Sequence, residues 1–268
     1  MKPLWQWTAV SVMVLCGCNA PETEETAVTV QPANIDWSSV THRHIVFGHQ
    51  SVGANLLNGV ETLARRDGVN LPVRNKPDAP GTAGITHFNI GRNEDPYSKM
   101  QAFSAAMDAG AAAGADVALM KLCYVDFNAN TDSQQVADAY ISNLDTLSLK
   151  YPDTTFVAIT APLATVQTGP KAWIKRLLGK QPAQYLENGK RAEFNELIRK
   201  HYQSDRRLFD LARIESSGNG NPTTVRVGDR DVEALDPALT YDGGHLNSRG
   251  EILVASAFLR FIGTLPGK

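Results

Sequence analysis

His44-Ile45-Val46-Phe47-Gly48-His49-Gln50-Ser51-Val52-Gly53 is the stretch that sets the class of fold. Its run of Ile, Val and Phe suits a strand covered on both faces. It gives way at once to Val52, Leu56, Val60 and Leu63, spaced three and four apart as on one face of a helix. The same alternation recurs downstream. Strands are predicted at His44-Gly48, Ile85-Ile90, Asp116-Cys123, Thr154-Thr160 and Leu208-Leu211. Helices are predicted at Lys99-Ala109, Lys190-His201 and Ser248-Ile262, and Val136, Tyr140, Leu144 and Leu147 mark another. Short apolar runs alternating with amphipathic stretches predict a parallel sheet sandwiched by helices. Two regions read as irregular: Val166 to Glu187, with Lys171, Trp173, Lys175, Arg176, Lys180 and Tyr185, and Glu215 to Leu239. Such insertions decorate the end of the sheet where ligands bind.

With 268 residues, 43% of them hydrophobic and 20% charged, the chain can build one sizeable core. A net charge of -2 gives no overall basic footprint of the kind nucleic acid requires, which leaves room only for a local basic patch. The amino end reads as an address: Lys2 precedes the apolar run Leu4-Leu15, which is too short to span a bilayer comfortably. Leu15-Cys16-Gly17-Cys18 then resembles a bacterial lipobox. That resemblance implies a signal peptide over residues 1–17 and a lipid on Cys18, so that the protein is a membrane-anchored lipoprotein of the cell envelope, facing the periplasm or the exterior. Residues 18–38, rich in Pro, Thr, Ala and Glu, read as a flexible tether, and residues 39–268 as the folded domain. With Cys16 removed and Cys18 acylated, Cys123 alone remains, an expected buried and inert thiol with no disulfide partner.

The chemistry is concentrated in Tyr241-Asp242-Gly243-Gly244-His245-Leu246-Asn247. An Asp three residues before a His lets the carboxylate accept the imidazole Nδ1 proton and leaves Nε2 free as a base. Ser51, where the first strand passes into its helix, is the candidate nucleophile. Its hydroxyl is expected at the carboxyl end of the sheet, beside helical N–H groups able to hold an oxyanion. His42, His44 and His49 lack neighbouring acids or thiols to complete a metal ligand set, so no metal is expected.

These residues resemble the blocks of the SGNH hydrolases, the GDSL esterase/lipase superfamily. Gly48, His49, Gln50 and Ser51 match the opening serine turn. Asp242, His245, Leu246, Asn247 and Gly250 match the closing Asp-x-x-His-Leu turn, and Ala158-Ile159-Thr160-Ala161-Pro162 matches a strand ending in proline. Phe88-Asn89-Ile90-Gly91-Arg92-Asn93 fits the second block, with Gly91 as oxyanion donor. Two positions depart from the pattern. Gln50 stands where the family has Asp, and Val125, in Cys123-Tyr124-Val125-Asp126, stands where it has an oxyanion-hole Asn. Asn93 and Asn128 are the side chains expected to serve there, with Asn130 and Tyr124 as further stand-ins, and Asp126 is expected to tie down a loop. The resemblance implies a three-layer α/β/α sandwich with a flavodoxin-like parallel sheet, and a Ser51–His245–Asp242 triad that cleaves carboxylic esters through an acyl-serine. No cofactor is needed. The expected substrate is a small-molecule or glycan ester, including carbohydrate O-acetyl groups. The alternatives are an O-acyltransferase on an envelope glycan, or a catalytically weak lipoprotein that binds glycan or a partner. Oligomeric state is left open.

Overall fold

The opening strand forms as β1, His44–His49, buried along its whole length. It lies inside a sheet whose other members are β2 (Val73–Asn75), β3 (Gly84–Asn89), β4 (Val117–Met120), β5 (Thr155–Ile159) and β6 (Leu208–Phe209), in the order β2-β3-β1-β4-β5-β6. All neighbours in this sheet run parallel. The computed structural model describes residues 34–75, 82–166, 183–202, 204–218 and 220–266, all within one compact unit, Gln31–Lys268. Setting aside the three-residue edge strand β2, the order is second, first, third, fourth, fifth. That is the doubly wound order whose crevice opens at the carboxyl ends of the first and third strands, here β1 and β4.

Side-chain alternation along β1 divides the core in two. Ile45 and Phe47 join the apolar cluster of α1 (Ser38–Thr41), α2 (Ser51–Arg66) and α7 (Ser248–Thr264). Val46 joins the opposite cluster, built on α3 (Pro96–Ala106), α4 (Ser133–Lys150) and α5 (Ala183–Tyr202). The result is a mixed α/β structure with a central parallel sheet flanked by helices. The helix starts follow local chemistry: Asp95, Asp132 and Asn247 each accept a backbone N–H of the first turn, and Pro96 opens α3. Helices α2 and α7 approach closely at Gly59, where a Cβ would collide with the Glu251 carbonyl.

The structure departs from expectation at several elements. Helix α3 begins three residues before the predicted Lys99 and ends at Ala106, in a π turn over Met107–Ala111. Strand β4 stops at Met120, although the Lys121 N–H still reaches the Gly48 carbonyl at 3.0 Å. Helix α5 starts at Ala183, inside the stretch read as irregular. The other irregular stretch opens on the last two residues of the short helix α6 (Leu211–Ser216) and holds a hairpin of β7 (Thr224–Val227) and β8 (Arg230–Glu233), closed by Gly228 at φ +60°. The folded unit reaches back into the stretch assigned to the tether: Ile35 is buried in the α2/α7 cluster, and the Trp37 indole donates to Asp67. The signal segment, Cys18, Lys171, Trp173, Lys175, Arg176 and Lys180 lie outside the described residues. Among those described, no helix is long and apolar enough to cross a membrane.

Candidate active site

The Asp242–His245 turn is built from its own backbone. Asp242 Oδ1 accepts the Gly244 and His245 N–H groups at 2.9 and 2.8 Å, while Oδ2 lies 2.6 Å from His245 Nδ1. A carboxylate only accepts, so Nδ1 carries the hydrogen and the neutral ring presents a lone pair at Nε2. Partial burial pushes the Asp242 carboxyl up, but the His245 N–H, the His245 ring and the Gly244 N–H outweigh it and hold the group at about 2. Tyr124 meets the imidazole edge-on and Tyr241 stacks on it. Thr165 N–H, from the chain just beyond β5, binds the Gly243 carbonyl at 2.8 Å and hangs the turn on the sheet.

Ser51 is the first residue of α2, exposed at the end of β1. The Gln50 side chain ties this turn to the loop after β3, donating to the Ile90 carbonyl at 2.8 Å and the Gly91 carbonyl at 3.1 Å. One helical turn beyond Ser51, Asn55 Oδ1 accepts the Leu246 N–H at 3.3 Å, and its amide donates to Glu251 at 2.8 Å. The residue after His245 is therefore seated against the helix that Ser51 begins. The Ser51 hydroxyl itself makes no hydrogen bond with any described residue. Serine–imidazole bonds are often long or poorly aligned before a substrate is bound.

The candidate oxyanion residues lie on two loops joined by one ion pair. Lys99 and Asp126, both fully buried, bond at 2.5 and 2.7 Å, and Asp126 also accepts the Cys123 and Glu94 N–H groups. Losing either partner strands the other charge in the core, at a cost of about 3–5 kcal/mol. Lys99 Nζ donates weakly to Asn93 Oδ1 at 3.4 Å, which leaves the Asn93 amide nitrogen as that side chain's remaining polar group. Gly91 adopts φ +52°, which glycine tolerates, and packs so tightly on the Lys99 N–H that a Cβ would stand 2.5 Å from that nitrogen. Asn128 Oδ1 is occupied by the Asn130 N–H.

Beside the dyad opens a cleft of about 440 Å³. Asp242, Gly244, Tyr124, Val125 and Asn128 form part of its wall, with Arg191 at its floor. Arg191 donates to the Tyr124 carbonyl at 2.9 Å and to Asn188. Burial lowers its pKa to about 10 against the pull of Glu187, Tyr124 and Glu215. Ser51, His245, Gly91 and Asn93 are not part of that wall.

No family model matches the chain. No curated protein matches it either. Among solved structures it is similar to a protein described as a platelet activating factor from Streptococcus pneumonia, at 10% identity and a TM-score of 0.48, over 83% of this chain and 85% of that one. It is also similar to a protein assigned to the lipolytic G-D-S-L family from Desulfitobacterium hafniense DCB-2, at 9% identity and a TM-score of 0.47, over 82% of this chain and 99% of that one. A third is the esterase EstA of a Pseudoalteromonas species, at 8% identity and a TM-score of 0.45, over 81% of this chain and 94% of that one.

Of the sequence-predicted residues, then, Asp242 and His245 meet directly, and Gln50 links the Ser51 turn to Gly91. Asn93 and Asn128 lie on separate loops. Asp126 is a structural anchor, as expected. Cys123 is buried, with Lys121 Nζ 3.9 Å from its sulfur, a basic neighbour that sequence reading did not anticipate. His42 is exposed, His44 bonds Thr86, and His49 bonds His87; no group of acids, thiols and imidazoles suited to a metal occurs among the described residues. Sequence reading also missed Asn55, Arg191 and the pair Asn188 and Asn195. Asn188, Arg191 and Asn195 recur at core spacing on one helix face, a polar stripe that would have flagged them.

Proposed function

We propose that this protein is a serine hydrolase of carboxylic esters of the SGNH type, with Ser51 as nucleophile, His245 as general base and Asp242 as the group that fixes the imidazole. The observation that carries this reading is the Asp242–His245 pair, its tautomer set by a 2.6 Å contact, on a turn whose next residue binds Asn55 of the Ser51 helix. In the reaction, His245 Nε2 takes the Ser51 proton as Oγ bonds to the ester carbonyl carbon. The tetrahedral oxyanion is received by N–H groups of the Ser51 and Gly91 turns, with Asn93 and Asn128 as side-chain donors. Collapse breaks the bond to the leaving oxygen, which takes the proton from His245, and water then repeats the sequence on the acyl-serine. The polar cleft beside Asp242 supports a hydroxylated substrate portion, in keeping with a small-molecule or glycan ester. Attachment through a lipid on Cys18, at a membrane surface outside the cytoplasm, belongs to the same proposal and rests on the Leu15-Cys16-Gly17-Cys18 sequence.

A fluorophosphonate probe tests the reading. The purified protein is expected to label, and Ser51→Ala to abolish labelling and cut turnover of an acetyl ester by about 10⁴-fold or more. Val125, apolar where a donor is expected, favours the second reading, a weak binder of glycan. Absence of labelling in folded wild-type protein would decide for it.

A further inference from the structure

The Gln50 carbonyl is the pivot between β1 and α2. It accepts two hydrogen bonds, from the Gly53 N–H at 2.8 Å and from His49 Nδ1 at 2.9 Å. Because a carbonyl only accepts, His49 Nδ1 carries a hydrogen. Nε2 of the neutral ring is then a lone pair, and it lies 3.0 Å from His87 Nδ1, which must be the donor. The hydrogen bonds therefore run one way, from His87 to His49 to the Gln50 carbonyl.

His49 is built into this place. Its ring lies against Phe47 and stacks on His87, and a Cβ at Gly53 would overlap it, so a side chain two residues after the serine is incompatible with the histidine two residues before it. Burial depresses the His49 pKa, partly offset by the Gln50 carbonyl and reinforced by Lys121 and His87, to about 4. The ring is thus neutral at neutral pH. His87, whose own pKa is lowered by burial and raised by the Glu61 carboxylate, keeps its Nδ1 hydrogen in either protonation state, so the direction of the chain survives its titration.

The peptide between Gln50 and Ser51 is trans, so the Ser51 N–H points opposite to the pinned carbonyl. As the first residue of α2, Ser51 has no intrahelical acceptor for that N–H. We propose that His49 is a positioning residue: held in its Nδ1–H tautomer by His87, it fixes the Gln50–Ser51 peptide so that the Ser51 N–H stands ready to receive the charge formed at the substrate carbonyl. This inference rests on the ester-hydrolase reading, and it supplies an ordered donor on the nucleophile's side of a site that has Val125 on the other.

Two measurements test it. Imidazole nitrogen shifts in ¹⁵N-labelled wild-type protein are expected to show His49 protonated at Nδ1 at neutral pH; a proton at Nε2 overturns the network whether or not the protein turns over an ester. In kinetics on p-nitrophenyl acetate, His49→Asn puts an amide donor where Nδ1 sits, and His49→Gln puts one where Nε2 sits. His49→Gln is expected to lower kcat about tenfold or more with KM unchanged within twofold, and His49→Asn to restore kcat to within about threefold of wild type. Equal losses in the two variants, or losses confined to KM, overturn the positioning role. A wild type that neither labels nor turns over would sink the hydrolase reading and this role together, and the tautomer would then report on the hydrogen-bond network alone.

Discussion

At Gln50 a single amide decides how two loops meet. The position corresponds to an aspartate in the family the sequence resembles, and the substitution reads, residue by residue, as a lost charge. In the fold the side chain faces two carbonyls, Ile90 and Gly91, and only a donor satisfies them. Gln50→Asp, a change toward the family pattern, is therefore expected to destabilise the protein by about 1–3 kcal/mol and to lower activity, because it sets carboxylate against carbonyl oxygen. Denaturant titration checks this, and an unchanged midpoint would show that the latch is dispensable. Whether a side chain faces N–H or C=O is set by tertiary contacts, which is why Gln50 was illegible. Asp242 and His245 were legible for the opposite reason: their contact spans three residues of one turn. Lys99 and Asp126 are 27 residues apart, and nothing in either segment announces the other.

The chain from Ala161 to Thr165, beyond the end of β5, shows how an element without regular structure is held. Asn195 bonds both the N–H and the carbonyl of Ala161, Asn188 does the same for Ala164, and Glu215 accepts the Leu163 N–H at 2.7 Å. Glu215, on α6, is fully buried, and its Oε1 has no partner among the described residues. Burial raises its pKa to about 8, against the pull of the Leu163 N–H, Lys121 and Arg191. The linkage follows directly. Between about 4.5 and about 8 the folded state keeps a proton that the unfolded state has lost, so this group makes stability fall as pH rises through that window and level off above it. Glu215→Gln keeps the shape without the titration, and it is expected to remove a decline on the order of a few kcal/mol between pH 5 and pH 8. Parallel wild-type and variant stability curves would refute this. Among elements, the long amphipathic helices were readable from period alone. Strand β2 was too short to signal, and the β7–β8 hairpin was hidden because only Val232 of its strand residues is fully buried, which leaves little burial pattern.

Over the whole molecule, the alternation of apolar runs with amphipathic helices specified a parallel sheet covered by helices, while the strand order is read from the fold itself. The crevice at β1 and β4 then follows from topology, and so does the meeting of chain segments far apart in sequence. Less accessible to sequence reading were the contacts that close the circuit, such as Arg43 donating to the Leu265 and Pro266 carbonyls. The proposed lipid attachment at Cys18 is tested on the entire chain. Cys18→Ser is expected to move the protein from the membrane fraction to the soluble fraction without altering ester turnover; retention in membranes would remove the lipid from the account.

Helix α2 buries Val52, Leu56, Val60 and Leu63 beneath α7, the last helix described. Synthesis delivers α2 some 180 residues ahead of α7, so the part of its apolar face that α7 covers waits for that helix, while β1 and β3 line the rest. Nascent chains stalled before α7 are for that reason the species that chaperones and proteases will meet. That part of the core closes only once α7 has emerged.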